Sequence, residues 1–124
     1  MDQIIRHLKN STHILVVSHA KPDGDAIGSL IAMGLALDAL NKKTTLFNES
    51  PIPAVYRFLP SVELISQKLC DKTEYDCAVI LDCGDIQRIG SVVEKVKQIP
   101  VIINIDHHMT NTLFGDFQVI DPKA

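Results

Sequence analysis

Three groups of ionisable side chains stand out by where they fall. His19, Asp23 and Asp25 lie in "SHAKPDGD", Asp82 and Asp85 in "LDCGD", and Asp106, His107 and His108 in "IDHHMTN". Each group follows directly on an apolar run: "HILVVS", "CAVIL" and "PVIINI". Carboxylates crowded together repel one another, and burying them uncompensated is unfavourable. A cation removes the difficulty. Mixed carboxylate and imidazole ligands with no obvious thiolate suit Mn²⁺, Mg²⁺, Fe²⁺ or Zn²⁺. The groups offer about five or six ligands, more than one tetrahedral ion needs. Two ions roughly 3.5–4 Å apart, bridged by a shared carboxylate, would use them all and could activate a water against a phosphate.

Taken singly, each group has a plainer reading. His19 alone reads as a hydrogen-bonded histidine at a strand end, Asp25 as a helix cap, Asp82 as an acceptor for turn amides, and "DHH" as a solvated turn. The joint pattern favours the metal, because every buried run ends in the same anomaly. Cys83, beside Asp82, reads as a small buried cysteine rather than a nucleophile. His7 and His13 read as solvent-facing or capping residues. Arg88, in "GDIQRIG", suits a substrate phosphate and a surface ion pair equally well. Neither G-x-x-x-x-G-K-[ST] nor G-x-G-x-x-G occurs, which removes the P-loop and the dinucleotide fingerprint.

The elements that must position these groups are legible from periodicity. Residues 2–10 have helical spacing at Ile4, Ile5 and Leu8. The runs 13–18, 43–48, 77–82, 100–106 and 117–121 read as strands, several of them continuously β-branched as buried parallel strands are. Pro22 and the Asp-Gly pair mark 19–25 as a loop. A helix is expected over about 26–41 with Asp25 as its cap. It is apolar almost all round, which predicts burial on more than one side. Gly28 and Gly34 suggest a close backbone approach there. Residues 53–60 predict one or two helical turns, "ELISQKL" is ambiguous, and 91–98 predicts a helix with Ser91 and Glu94 as a capping box. Strands alternating with helices argue for an α/β fold, a parallel sheet of about five strands flanked by helices. Parallel strands share one carboxyl edge, where ligands bind in open sheets, so the three polar groups should converge there.

Composition is compatible with this and excludes alternatives. The chain has 124 residues, 46% hydrophobic and 22% charged, enough for one domain with a real core. A net charge of −3 with no basic block argues against long-duplex nucleic acid as a partner, while a short nucleotide stays open. The three cysteines, Cys70, Cys77 and Cys83, show no C-x-x-C pairing, which fits a reducing cytoplasm. "AIGSLIAMGLAL" is too short to cross a bilayer, so no membrane partner is expected.

Together, "SHAKPDGDAIGS", "LDCGD" and "DHH" resemble the DHH phosphoesterase family, in the family's order from about Ser18 to His108. "PDGDAIGS" and "DCGDIQRIG" look most similar to its oligoribonuclease and 3′-phosphoadenosine-5′-phosphate phosphatase branch. The resemblance implies a Rossmann-like N-terminal DHH domain over 1–124 and two divalent ions, Mn²⁺ by preference or Mg²⁺. It implies that His19 and Asp23 hold one ion, that Asp25 and His107 hold the other, and that Asp82 bridges them. His108 would contact the phosphate being cleaved and Asp106 would support the histidines. The substrate would be a short oligonucleotide or a phosphorylated adenosine nucleotide. A pyrophosphatase- or exopolyphosphatase-like member is the alternative within the family, and a non-catalytic nucleotide- or metal-binding module the alternative outside catalysis. Family members also carry a later aspartate for the second ion and a second domain with a glycine-rich motif. This chain stops at "VIDPKA". The expectation is therefore an incomplete catalytic domain, with apolar surface that could favour a homodimer.

Overall fold

The computed structural model describes residues 2–69, 73–106 and 114–120. α1 spans Asp2–Asn10, β1 His13–Ser18, α2 Gly24–Ala39 and β2 Lys43–Phe47. β3 is Ile65–Ser66, β4 Cys77–Leu81, α3 Val93–Lys97, β5 Val101–Asp106 and β6 Phe117–Ile120. Short 3₁₀ turns occupy Ala54–Tyr56, Val62–Leu64 and Ile86–Ile89. The strands form one six-stranded sheet in the order β3-β2-β1-β4-β5-β6, and every pairing is parallel. The sixth strand is the two-residue β3, drawn from the ambiguous "ELISQKL".

Alternate residues of the strands feed two cores. Ile14, Val16, Leu46, Val79 and Ile103 face one side, where Ile27, Leu30 and Leu37 of α2 and Ile4 of α1 cover them. Leu15, Val17, Phe47, Ala78 and Ile80 face the other, under Ile89 and the Val93 and Val96 pair of α3. Burial on both faces is why these strands read as unbroken apolar runs rather than as alternating ones.

Four local expectations are corrected. The cap of α2 is Asp23, whose Oδ1 accepts from the Ala26 amide at 2.9 Å; Asp25 lies in the first helical turn. The helix buries one face only, for Leu35 is 56% exposed. What lies close to Gly34 is the Leu46 side chain, 2.9 Å from where a Cβ would sit, while nothing among the described residues comes within 4 Å at Gly28. The Ser91–Glu94 capping box does not form: α3 has no side-chain cap, and the Ser91 amide donates instead to Glu49 Oε1 at 3.0 Å. A carboxylate from a different strand end outcompetes the local partner.

The edge opposite the strand tips is tied by acids. Asp76 accepts from the Thr12 and His13 amides at 2.6 and 2.8 Å, and Asp116 accepts from the Ile102 amide at 2.7 Å. His13 reaches Thr45 Oγ1 at 2.9 Å and packs edge-on against Tyr75. Desolvation, then Lys43, lowers the His13 pKa below its usual 6.5, partly offset by Asp76. Desolvation works to raise the Asp76 pKa, but its backbone hydrogen bonds prevail and hold it below 3.8. Both signs agree. A lowered histidine contributes stability that is lost as pH falls from 6.5 through the folded value, and the lowered aspartate loses its own below 3.8. The denaturation midpoint is therefore expected to fall in two stages on acidification. His13→Gln should flatten the first stage and Asp76→Asn the second. An unchanged profile in both variants would refute the assignment.

Candidate metal centre

The strand register brings the sequence-predicted groups to one edge. Ser18 of β1 pairs with Leu81 of β4, and Leu81 with Ile105 of β5. His19, Asp82 and Asp106 each lie one residue beyond that registered trio, so three separate runs deliver ionisable groups side by side. β1 and β4 are adjacent although α2, β2 and β3 intervene in the chain. That adjacency is the switch point of a doubly wound sheet, where the crevice for a ligand opens.

His19 Nε2 lies 3.5 Å from Asp82 Oδ2. His19 Nδ1 lies 2.8 Å from the Ala20 carbonyl oxygen, which can only accept, so Nδ1 carries the proton. The ring then turns its Nε2 toward a carboxylate oxygen, and an imidazole nitrogen beside a carboxylate is the pairing that ligates a divalent cation. Neighbouring ligands of an octahedral ion with bonds near 2.1 Å sit about 3 Å apart, so a small movement suffices. Asp23 completes the group: one ligand atom from each of His19, Asp23 and Asp82 lies within 4.8 Å of the others. Asp23 uses one oxygen as the helix cap, and the carboxylate keeps the other for the site. The donor set fits a divalent metal.

Asp82 is 7% exposed and sits in the left-handed region at φ 53°, unusual for a side chain with a Cβ. Its amide still donates to the Ile105 carbonyl at 3.0 Å, continuing the β4–β5 ladder, and the positive φ then takes the chain off β4. Strain of this kind collects where a side chain must be aimed. Asp106, 6% exposed, ends β5 next to this turn. Asp25 is exposed and does not belong to the compact group of His19, Asp23 and Asp82. Asp85 caps the 86–89 turn through the Gln87 amide. His107 and His108 lie outside the described residues.

Cys83 is no nucleophile here. Its thiol is buried and donates to the Asp85 carbonyl at 2.9 Å, and desolvation pushes its pKa up to about 11. Cys77, buried mid-sheet, is pushed up to about 11 by the same cause. Thiolate is the reactive form. In a Cys70→Ser variant, neither Cys77 nor Cys83 should react with a disulfide reagent at about pH 8 until the chain is unfolded. Rapid labelling of the native protein would contradict the burial.

Asn48, at the tip of β2, is missing from the ionisable set because an amide carries no charge and is a weak ligand. It obeys the same rule of a polar residue at a buried strand tip, and that signal could have found it.

No helix among the described residues is long and apolar enough to cross a membrane. The chain is 38% identical over 111 residues to the bifunctional oligoribonuclease and PAP phosphatase NrnA of Thermus thermophilus, covering 89% of this chain and 32% of that protein. It is 26% identical over 125 residues to the probable bifunctional oligoribonuclease and PAP phosphatase NrnA of Streptococcus mutans, covering 98% and 37%. Its fold matches the crystal structure of an exopolyphosphatase-related protein from Bacteroides fragilis, with a TM-score of 0.89 and 27% identity over 99% of this chain and 38% of that one. The chain thus spans about a third of the length of the curated relatives it matches. The N-terminal domain of the DHH family matches residues 13–124, and with the strand-tip acids and histidine placed as described, the chain belongs to that family of phosphoesterases.

Proposed function

We propose that this chain is the metal-binding catalytic domain of a phosphoesterase that hydrolyses short oligonucleotides or a phosphorylated adenosine nucleotide. The observation that carries the reading is the facing pair of His19 Nε2 and Asp82 Oδ2 with Asp23 beside them. His19 and Asp23 would hold one divalent ion, Asp25 and His107 would hold the other, and Asp82 would be shared between them. Mn²⁺ is the expected ion, with Mg²⁺ as the alternative. Divalent ions bound there supply the positive charge that acidifies an attacking water and neutralises phosphate oxygens. Water adds across a P–O ester bond: its oxygen joins phosphorus, the ester bond breaks, and the leaving oxygen takes up a proton. His108 would contact the phosphate and Asp106 would orient the histidine pair. The N-terminal end of α2, which begins at this edge, favours an anion as well. The names of the Thermus and Streptococcus relatives support the nucleotide substrate class.

A second reading is a metal- and nucleotide-binding module without turnover. It is favoured by the share of the relatives' length that this chain spans. One experiment separates the two. The purified chain is incubated with Mn²⁺ and, in turn, di- to pentanucleotides, 3′-phosphoadenosine 5′-phosphate, pyrophosphate and polyphosphate. Metal-dependent release of mononucleotide or phosphate that disappears in Asp82→Ala supports the enzyme. Mn²⁺ binding without turnover supports the module. Release from polyphosphate or pyrophosphate alone would overturn the nucleotide assignment.

A further inference from the structure

β2 runs into an asparagine that is wholly buried, at 0% exposure. Asn48 Nδ2 donates to Ser18 Oγ at 2.7 Å and to the His19 carbonyl at 2.7 Å. Its Oδ1 accepts from the Ser50 amide at 2.9 Å, and Ser50 Oγ in turn accepts from the Lys21 amide at 2.8 Å. A primary amide has two N–H donors, and both are committed to the tip of β1. From the other flank, the Ala20 amide donates to the Arg88 carbonyl at 2.7 Å. The His19–Ala20 peptide is thus gripped on both sides. The Ala20 carbonyl is the group that receives the His19 Nδ1 proton. That carbonyl belongs to the next peptide, Ala20–Lys21, whose amide is held by Ser50 Oγ while Asn48 Oδ1 holds Ser50, so the ring's orientation depends on Asn48 through Ser50 as well as through the gripped His19–Ala20 peptide.

We propose that Asn48 is a positioning residue of the metal centre. Its buried carboxamide holds the His19 carbonyl directly and the Ala20–Lys21 peptide through Ser50, so that the imidazole, anchored at Nδ1, turns its Nε2 toward Asp82 before any ion binds. The inference rests on the metal reading of this site. No other side chain of similar size does the same. Aspartate has the shape but no donors, and would set a negative oxygen against the His19 carbonyl. Leucine has neither donor nor acceptor. A serine hydroxyl falls short of both partners. Groups that orient a metal-binding histidine typically change metal affinity ~10–100-fold when removed.

The test compares wild type with Asn48→Asp, Asn48→Ser and Leu37→Ala. Leu37 is buried in the half of α2 remote from the strand tips, so its truncation reports on destabilisation alone. Long-range ¹H–¹⁵N spectra of the metal-free protein read the His19 tautomer, and calorimetric titration with Mn²⁺ reads affinity. Wild type is expected to show a single Nδ1–H tautomer. Both Asn48 variants should show mixed tautomers and ~10–100-fold weaker Mn²⁺ binding, while Leu37→Ala lowers the melting temperature and moves neither readout. If Asn48→Asp does not fold, Asn48→Ser decides alone. Wild-type tautomer and affinity in a folded Asn48 variant would overturn the proposal. So would equal changes in Leu37→Ala, or loss of folding in both Asn48 variants while Leu37→Ala folds. If wild type itself binds no Mn²⁺, the metal reading falls, and the tautomer measurement still decides whether Asn48 sets the ring.

Discussion

Asp82→Gly is expected to stabilise the metal-free chain while abolishing its response to metal. The two effects have separate causes. At φ 53° the Asp82 backbone occupies a region that glycine enters without steric penalty and that an L side chain resists. Relief of that resistance is on the order of 1 kcal/mol. Removing the carboxylate also lowers the negative charge density beside Asp23 and Asp106. The same deletion takes away the oxygen that faces His19 Nε2 and the third member of the compact group. In the wild type, Mn²⁺ at about a hundred times its dissociation constant adds ~2.7 kcal/mol, raising the melting temperature by roughly 10 °C for a domain of this size. In Asp82→Gly that rise should vanish, and any phosphoesterase rate should fall by about 10³-fold or more, the scale of the charge stabilisation an ion provides. Thermal melts with and without Mn²⁺ check both halves. A variant that still gains several degrees from the metal would remove Asp82 from the site.

The second large effect is expected at Gly90, in the loop that follows Asp82 and wired to the same edge. Gly90 has φ 98° and ψ −150°, a conformation open essentially to glycine alone. A Cβ there would sit 1.9 Å from Glu49 Oε2. The Glu49 side chain can swing away, but only by releasing the Ser91 amide it holds at 3.0 Å. Hydrogen bonds from the Ser91 hydroxyl and then its amide keep the Glu49 carboxyl below the usual range, a sign that this contact favours the charged form. Gly90→Ala thus meets backbone strain of about 1–3 kcal/mol and loses the Glu49 link as well. Its melting temperature should drop by roughly 10 °C. The loop it distorts carries the Arg88 carbonyl that holds the Ala20 amide, so Mn²⁺ affinity should weaken too. Glu49→Ala in the Gly90→Ala background removes the collision and should recover only part of the loss. Full recovery would show that the strain at Gly90 is negligible.

Both effects follow from one design. The sheet brings its tips together, and the loops beyond them are tied to one another rather than left to solvent. Asn48 joins β2 to β1, Arg88 joins the loop after β4 to β1, and Glu49 joins β2 to the turn before α3. Such cross-ties hold the loops that carry His19 and Asp82 in place, which would spare part of the ordering otherwise required for an ion to bind.

Much of this was determined by local sequence. Strands buried on both faces must be apolar throughout, so "HILVVS", "CAVIL" and "VIINI" announce themselves, and the ionisable residues at their ends stand out by contrast. Helical connections between them impose a common strand direction, which already gathers His19, Asp82 and Asp106 on one edge. Short-range periodicity carries no information on strand order or on competition between partners. Tertiary packing alone set β1 against β4, recruited Ile65–Ser66 as an added strand, and drew the Ser91 amide to Glu49 in place of a capping box. It also gave the cap of α2 to Asp23 and the left-handed turn to Asp82. Those outcomes depend on which atoms from distant segments arrive within hydrogen-bonding reach, a property of the folded chain and of no window along it.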